Sequence, residues 1–403
     1  MKRWQKLLLV LLVIFICSQI PFTYRRYRLG RLNDVIQQIN SQRQPKPDEK
    51  FVEHKGVVHV HSSLGGHSTG TFEAIIAAAN QNQLDFVVMT EHQSANFNTA
   101  ALTLKDVHSG VLFINGNEVN TPGKERLLIL PGDETVVMSD GPSVEDAIAR
   151  TKARGALALV AYPEEFKSWN APGYDGVEVY NVYTNARTIN PLVMLFDGLW
   201  SYRSYPDLLF ATFYTRPVNG LQLWDDAIRL TGKRLVATAG NDAHANVGLS
   251  LNGASGKTLI GFKADPYERS FRLVRMHLLL PAGETLNSAS LVQAFAAGHC
   301  FIGFDLFGDT TGFRFTAANG SEQKIQGDEI ASGSGVTLSV RLPVSARVVL
   351  FRDGQAFSDE PEVKEKDYVV TEKGSYRAEI YLPQLPGVVS QQPWIISNPI
   401  YVK

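Results

Sequence analysis

From Val57 to His244 short apolar runs alternate with longer stretches of helical spacing, and this alternation restricts the chain more than any other feature. GVVHVH (56–61), LDFVVMTEH (84–92), VLFINGNEV (111–119), ALALVAYP (156–163), GVEVYN (176–181) and LVATAGNDAH (235–244) read as strands. Between them TFEAIIAAANQNQ (71–83) has helical spacing, and SVEDAIARTKARG (143–155) opens on a Ser N-cap and closes at a glycine. Residues 185–232 read as mostly helical and rich in aromatic side chains. Strands and helices alternating in this way specify a parallel α/β architecture, either a barrel or a doubly wound sheet. SASLVQAFAAGHCFIGFD (288–305) adds one more helix and strand. After Leu306 the helical signals stop. VTLSVRLP, ARVVLFRDG, KDYVVTE and SYRAEIYLP alternate and are separated by turns, the pattern of a small antiparallel β-sandwich.

The N-terminus is of a different kind. MKRWQK is a short basic segment, and LLLVLLVIFIC (7–17) is an unbroken apolar run. That length suits a signal-peptide core better than a full span, yet no small-x-small cleavage site comes after it. YRRYRLGR comes next, which suits an interfacial anchor, and Ile16 stands where a lipoprotein signal requires a small residue before Cys17. The expectation is an uncleaved signal-anchor, with a cleaved signal peptide and a buried apolar helix as alternatives. Basic residues flank both sides (Lys2, Arg3 and Lys6; Arg25, Arg26, Arg28 and Arg31), so the positive-inside rule gives no orientation. Single N-terminal anchors commonly export the domain attached to them, so the body of the protein is expected to be periplasmic or extracellular. Residues 33–50 are polar, carry Pro45 and Pro47, and read as a tether.

Composition excludes several classes. With 39 Lys and Arg against 40 Asp and Glu, no basic excess is available for nucleic-acid binding by bulk charge. A hydrophobic fraction of 44% is too high for a disordered chain. Cys17 and Cys300, the two cysteines, rule out a disulfide scaffold and thiolate metal ligation.

The chemistry gathers at the ends of the apolar runs. His59 and His61 close the first, Glu91 and His92 the second, Glu118 the third, and Asp242 and His244 the last. In parallel α/β barrels strand C-termini converge on one face, where active sites form. Residues two apart on a strand point the same way, so His59 and His61 can approach one centre. One His-x-His pair is weak evidence, because a lone histidine at a strand end is usually a loop residue. Four such placements on one face make a metal site the better reading. Mixed imidazole and carboxylate ligands suit zinc, manganese or iron without choosing among them.

VHVHSSLGGHSTGT, LDFVVMTEHQ, INGNEVNT, DGVEVYN and AGNDAHAN, in this order, resemble the motifs of the PHP (polymerase and histidinol phosphatase) superfamily of metallohydrolases. The TEH variant, the segment WDDAIRLTGKR, and the elements GFRF and PWIISNPIYV are similar to its carbaryl-hydrolase-like branch. The resemblance implies a distorted (β/α)7 barrel carrying a metal-dependent hydrolase site. The resemblance covers roughly residues 56–403, and with the N-terminal reading the expected division is a signal-anchor with basic flank (1–32), a linker (33–55), the barrel (56–305) and the β-sandwich (306–403). By motif, His59, His61, His92, Glu118, Asp242 and His244 fill ligand positions. Three positions depart. The acidic residue expected after His-x-His falls at Gly66, with His67 one residue away; a histidine position is Arg126; and the histidine of the usual Ala-His-Pro motif is Tyr162. One divalent ion is the first expectation and two the second.

The expected activity is hydrolysis of a small-molecule phosphoester, carboxylic ester or carbamate by metal-activated water. Asp242 or Glu118 would accept the proton of that water. Arg126 would face an oxyanion or phosphate, unless it is a solvated loop residue, and the Tyr162 hydroxyl would donate to developing charge, unless it only packs. Glu91 is expected to orient His92, and Asn181 to line the pocket. His299 and Cys300 read as structural, Glu164 and Glu165 as a solvated helix start, and Ser62 and Ser63 as lacking any nucleophile-elbow motif. Trp200, Tyr202, Tyr205, Phe210, Phe213 and Tyr214 read as helix core rather than a substrate wall. The alternative function is a non-enzymatic membrane-anchored ectodomain with a degenerate metal or ligand site. A third reading makes the sandwich a glycan- or envelope-binding module. The sequence leaves substrate and oligomeric state open.

Overall fold

The apolar runs pair with one another in a closed ring. Phe51–Val60 lies parallel to Val236–Ala243 on one side and to Phe86–Met89 on the other. Phe86–Met89 lies parallel to Val111–Ile114, and its continuation Glu91–His92 lies parallel to Asn117–Asn120. Asn117–Asn120 turns antiparallel onto Arg126–Leu130, which is antiparallel to Leu157–Ala161. Leu157–Ala161 then runs parallel to Gly176–Asn181, and Gly176–Asn181 parallel to Val236–Ala243, which returns the pairing to the first strand. This computed structural model describes residues 2–403 apart from 136–140, 187–189, 213, 247, 253–257, 264, 321 and 334.

Leu157–Ala161 and Gly176–Asn181 are buried along their whole length. Strands covered on both faces need apolar residues at every position rather than at every second one, which is why these segments read as continuous apolar runs. Two helices packed on the ring, one against Val111–Ile114 and one against Leu157–Ala161, start where the sequence places caps. Thr71 accepts the Ala74 N–H at the head of Phe72–Gln81, and Ser143 accepts the Asp146 N–H at the head of Val144–Ala153. The two antiparallel links at Arg126–Leu130 depart from the parallel expectation. Five residues separate Asn120 from Arg126, far too few for the crossover that a parallel pair requires.

Two further strands extend the sheet. Arg275–Pro281, not anticipated from the sequence, pairs antiparallel with Phe51–Gly56 and with Cys300–Gly303. Cys300–Gly303 pairs in turn with Pro393–Ser397, so hydrogen bonding runs unbroken from the ring into the C-terminal strands. There VTLSVRLP and ARVVLFRDG form one long strand, Val336–Arg352, flanked by Arg314–Ala318, Gln355–Val370 and Gly374–Tyr381, all antiparallel to it. The architecture is mixed α/β.

A single helix, Arg3–Gln42, opens the chain. Among the described residues it is the one helix long and apolar enough to cross a membrane, and its apolar window is fully exposed. The tether expected over 33–50 is corrected: residues 33–42 continue the helix. Leu29, Leu32, Ile36 and Ile39 recur at helical spacing and are buried against the body, a stripe hidden among polar residues. The chain after Gln42 is also held down, by Arg43 on Asp309 at 3.2 Å and by Asp48 on Arg314 at 2.6 Å.

Candidate metal centre

His59 and His61 end the central strand, but simple alternation is not what aims them. The register slips between Val58 and Val60, and His59 at the slip has a left-handed backbone with φ 67°. This bulge turns both rings to one point. His59 Nε2 stands 3.5 Å from Glu118 Oε2 and 3.6 Å from Asp242 Oδ1, and His61 Nε2 stands 3.5 Å from each. His92 Nδ1 is 3.1 Å from Glu118 Oε2, and His244 Nδ1 is 3.3 Å from Asp242 Oδ1. The His61 ring is stacked against both His92 (4.5 Å) and His244 (4.2 Å). Tyr162 and Asp242 share the left-handed backbone, at φ 48° and 47°. Strain of this kind, about 1–3 kcal/mol per residue, persists where surrounding structure imposes it, characteristically at functional sites.

Each carboxylate is held by its outer oxygen and leaves the inner one bare. Arg126 Nη1 donates to Glu118 Oε1 at 3.0 Å, while Glu118 Oε2 has no hydrogen-bond partner among the described residues. The Tyr162 hydroxyl donates to Asp242 Oδ2 at 2.6 Å, with Asn181 Nδ2 at 3.4 Å from the same oxygen, while Asp242 Oδ1 has none. His59 Nε2 and both nitrogens of His61 are likewise buried and unpartnered among the described residues. Buried polar atoms without partners are rare because each forfeits its hydration. Here four of them, from four side chains, point at one centre. Ligand atoms about 2.0–2.1 Å from an ion at tetrahedral angles stand roughly 3.3 Å apart, which matches the separations above. The residues therefore fit a divalent ion. His59, His61 and Glu118 form one group able to hold a metal, and His61, His92 and His244 a second that overlaps it.

The electrostatics derive from burial and from these pairings. Burial and the neighbouring imidazoles hold His61 far below the ordinary histidine range and bring His92 down to about 4, so both rings are neutral with lone pairs to offer near pH 7. Burial acts the same way on His59, but the carboxylates of Glu178, Asp242 and Glu118 outweigh it and raise His59 well above that range. Burial likewise opposes ionisation of Glu118, yet His59, His92 and Arg126 hold it down at about 2. Tyr162 is pushed up by burial and by Asp242 and Glu118, which keeps its hydroxyl protonated.

Two residues of this arrangement escaped the sequence reading. Glu178 Oε1 lies 2.6 Å from His59 Nδ1, and Asn181 Nδ2 donates to Glu178 Oε2 at 3.0 Å. A carboxylate on the far nitrogen sets the tautomer and orientation of a metal-ligating histidine. The signal was present: one acid inside the apolar run GVEVYN has to find a partner. Gly240 is the second. A Cβ there would lie 1.8 Å from Glu178 Oε1, so the close approach of the strands requires glycine.

Other expectations fall differently. Arg126 and Tyr162 both reach the centre, the guanidinium lying 4.8 Å over the Tyr162 ring. The Tyr162 proton is committed to Asp242 rather than open to a substrate. His67 is exposed, with its ring 4.9 Å from His92 and outside both ligand groups. Glu91 does not orient His92. Its carboxylate accepts from the Ser62 N–H and hydroxyl and from the Thr103 hydroxyl, and so clamps the turn after His61. His299 pairs with Asp328 at 2.9 Å, and Cys300 is buried beside Asn398. Tyr214 is core, packed on Phe304 and Phe307. Trp200 instead donates to Gln19 of the N-terminal helix, and Tyr202 lies under Arg269. Phe213 lies outside the described residues.

No protein-family model matches the chain, and no curated protein matches it. Among solved structures, PsfC from Pseudomonas syringae PB-5123 is 14% identical, with 60% of this chain and 89% of that one covered at a TM-score of 0.38. An amidohydrolase from Chromobacterium violaceum, solved with bound sulfate and no metal, is 13% identical, with 53% and 92% covered at a TM-score of 0.28. Likenesses this distant carry no argument, and the functional reading rests on the site itself.

Proposed function

We propose that the chain is a membrane-anchored, metal-dependent hydrolase of the PHP type, in the carbaryl-hydrolase-like branch. The observation that carries this reading is the convergence of unpartnered buried atoms of His59, His61, Glu118 and Asp242, with His92 and His244 beside them. The ring of strands supports a distorted (β/α)7 barrel over 56–305, followed by a β-sandwich over 306–403. On this reading the ligand residues stand at or just beyond the C-terminal ends of ring strands, where such barrels carry their sites.

His59, His61, His92, His244, Glu118 and Asp242 would hold one transition-metal ion, zinc, manganese or iron, or two across the overlapping groups. When bound, such an ion supplies a water of lowered pKa and polarises an ester oxygen. The chain's own groups do the rest. Glu178 holds the proton on His59 Nδ1, which leaves Nε2 free to face the centre. Tyr162 and Asn181 pin Asp242 by its outer oxygen and so aim its inner oxygen at the centre, and whichever of Asp242 and Glu118 is not fully engaged with the ion would accept the proton of the water. Arg126 neutralises Glu118 through one nitrogen. Its side chain is about one-third exposed, so further N–H groups can reach a phosphoryl or carbonyl oxygen of a small-molecule ester. The body carrying this site is read as periplasmic or extracellular.

The test uses full-length protein in detergent. Bound metal is quantified by mass spectrometry, and chromogenic phosphate, carboxylate and carbamate esters are screened with added manganese, zinc and iron. Turnover that depends on metal and is abolished by Asp242→Asn is the expected result. Turnover unchanged in metal-free protein would refute it. Stoichiometric metal with no turnover on any ester class would favour a non-enzymatic ectodomain.

A further inference from the structure

The N-terminal helix carries its aromatic residues where a bilayer's two interfaces would lie. Trp4 and Tyr24, both well exposed, are 20 residues apart, which is about 30 Å along a helix and the thickness of a hydrocarbon core. Tyr27 is exposed one turn further on, beside Arg28. Aromatic side chains at both ends of an apolar stretch are the usual mark of the headgroup level.

A second helix, Pro191–Ser201, docks at that same level. Phe196 packs on Phe22 with ring centroids 4.9 Å apart, Asp197 takes Arg25 at 2.6 Å, and Trp200 Nε1 donates to Gln19 at 3.0 Å. Arg26 closes the junction by donating to the Trp200 carbonyl and the Ser204 hydroxyl. One face of the helix is thus occupied by the N-terminal helix. Another face, Leu192, Leu195 and Leu199 at helical spacing, is bare, with Leu192 67% and Leu199 72% exposed. Three leucines on one exposed stripe are unfavourable in water, and a large exposed apolar patch marks an interaction surface. The contacts of Phe196 with Phe22 and of Trp200 with Gln19 bring this helix against the N-terminal helix within the last turn or so before Tyr24.

We infer that the Leu192–Leu195–Leu199 face enters the interfacial layer of the same bilayer that the N-terminal helix crosses, so that the body of the protein rests against the membrane. The occupant is lipid because the surface is continuous with the apolar part of the N-terminal helix. The inference rests on the reading of Arg3–Gln42 as a membrane span.

The test places single polarity-sensitive fluorophores on cysteines in the full chain, in a Cys17→Ala background; Cys300 is buried. Labels go at Leu199→Cys and Leu192→Cys, at Leu12→Cys within the apolar stretch, and at Val369→Cys, an exposed site on the C-terminal strands. The protein is reconstituted in phosphatidylcholine and phosphatidylglycerol vesicles containing lipids brominated near the headgroup. Blue-shifted emission and bromine quenching at 192 and 199, with neither at 369, are expected. A water-like label at both 192 and 199 with a bilayer-like label at 12 would overturn the inference while leaving the span intact. A water-like label at 12 as well would overturn the span reading and the inference together.

Discussion

Glu178→Gln removes one charge and one acceptor from a position with no room for rearrangement. Glu178 now accepts from two donors, His59 Nδ1 at 2.6 Å and Asn181 Nδ2 at 3.0 Å. A glutamine has one carbonyl oxygen, so its amide group must face one of those donors, N–H against N–H. A buried donor left unsatisfied costs about 1–3 kcal/mol. If the lost partner is His59, its ring is no longer held in the tautomer that turns Nε2 to the centre. Loss of such a support weakens metal binding about 10–100-fold, or roughly 1.4–2.7 kcal/mol, in agreement with the first figure. Affinity is measured on full-length protein by competition with a chromophoric chelator, with circular dichroism to confirm that the fold persists. Folded Glu178→Gln protein with wild-type metal affinity would refute the role of Glu178 in orienting His59.

Gly240→Ala should displace the same carboxylate from the opposite side, since its Cβ would lie 1.8 Å from Glu178 Oε1 and 3.0 Å from His59 Cβ. Overpacking of this kind costs about 1–3 kcal/mol, so thermal unfolding should show a lower midpoint and a smaller shift on adding metal. Tyr162→Phe deletes the hydroxyl that holds Asp242 Oδ2 but leaves the proposed ligands in place. Metal content should stay stoichiometric while kcat on the best ester falls about 10–100-fold, from a loss of about 1–3 kcal/mol. His277 supplies a pH test remote from the centre. Buried beside Glu53 at 2.8 Å and Asp305 at 3.3 Å, it is raised from 6.5 to about 9, their charges outweighing the burial that opposes them. Because the folded value exceeds the unfolded one, this stabilisation is complete below about 6.5 and disappears as pH rises towards 9. The unfolding midpoint should therefore fall across that interval, and a folded His277→Gln variant should show a flatter profile.

The residues proposed as ligands were legible because each ends an apolar run, and a parallel α/β chain brings such ends to one face. His59, His61, His92, Glu118, Asp242 and His244 needed nothing beyond that pattern and the motif resemblance. The helix caps at Thr71 and Ser143 were as readable, being local hydrogen bonds between residues three apart. The stripe Leu29, Leu32, Ile36, Ile39 lies in a polar segment where average polarity masks the helical period, and so a buried helix end read as a tether. Glu91 stands beside His92 in the chain, but on a strand neighbours point to opposite sides, and its carboxylate goes to Ser62 and Thr103 instead.

By itself, then, the sequence determined the alternation of strands and helices, the exposed apolar helix at the start, and which imidazoles and carboxylates gather at the strand ends, because these depend on period and on short spacings. The tertiary structure alone decided which oxygen of each carboxylate is bare. It also decided that Glu178 stands behind His59, that Arg126 and Tyr162 brace Glu118 and Asp242, and that Gly240 leaves room for them. Those relations join residues 8 to 119 positions apart, across strands whose register is set by a bulge and by core packing. No local pattern along the chain encodes a distance of that kind.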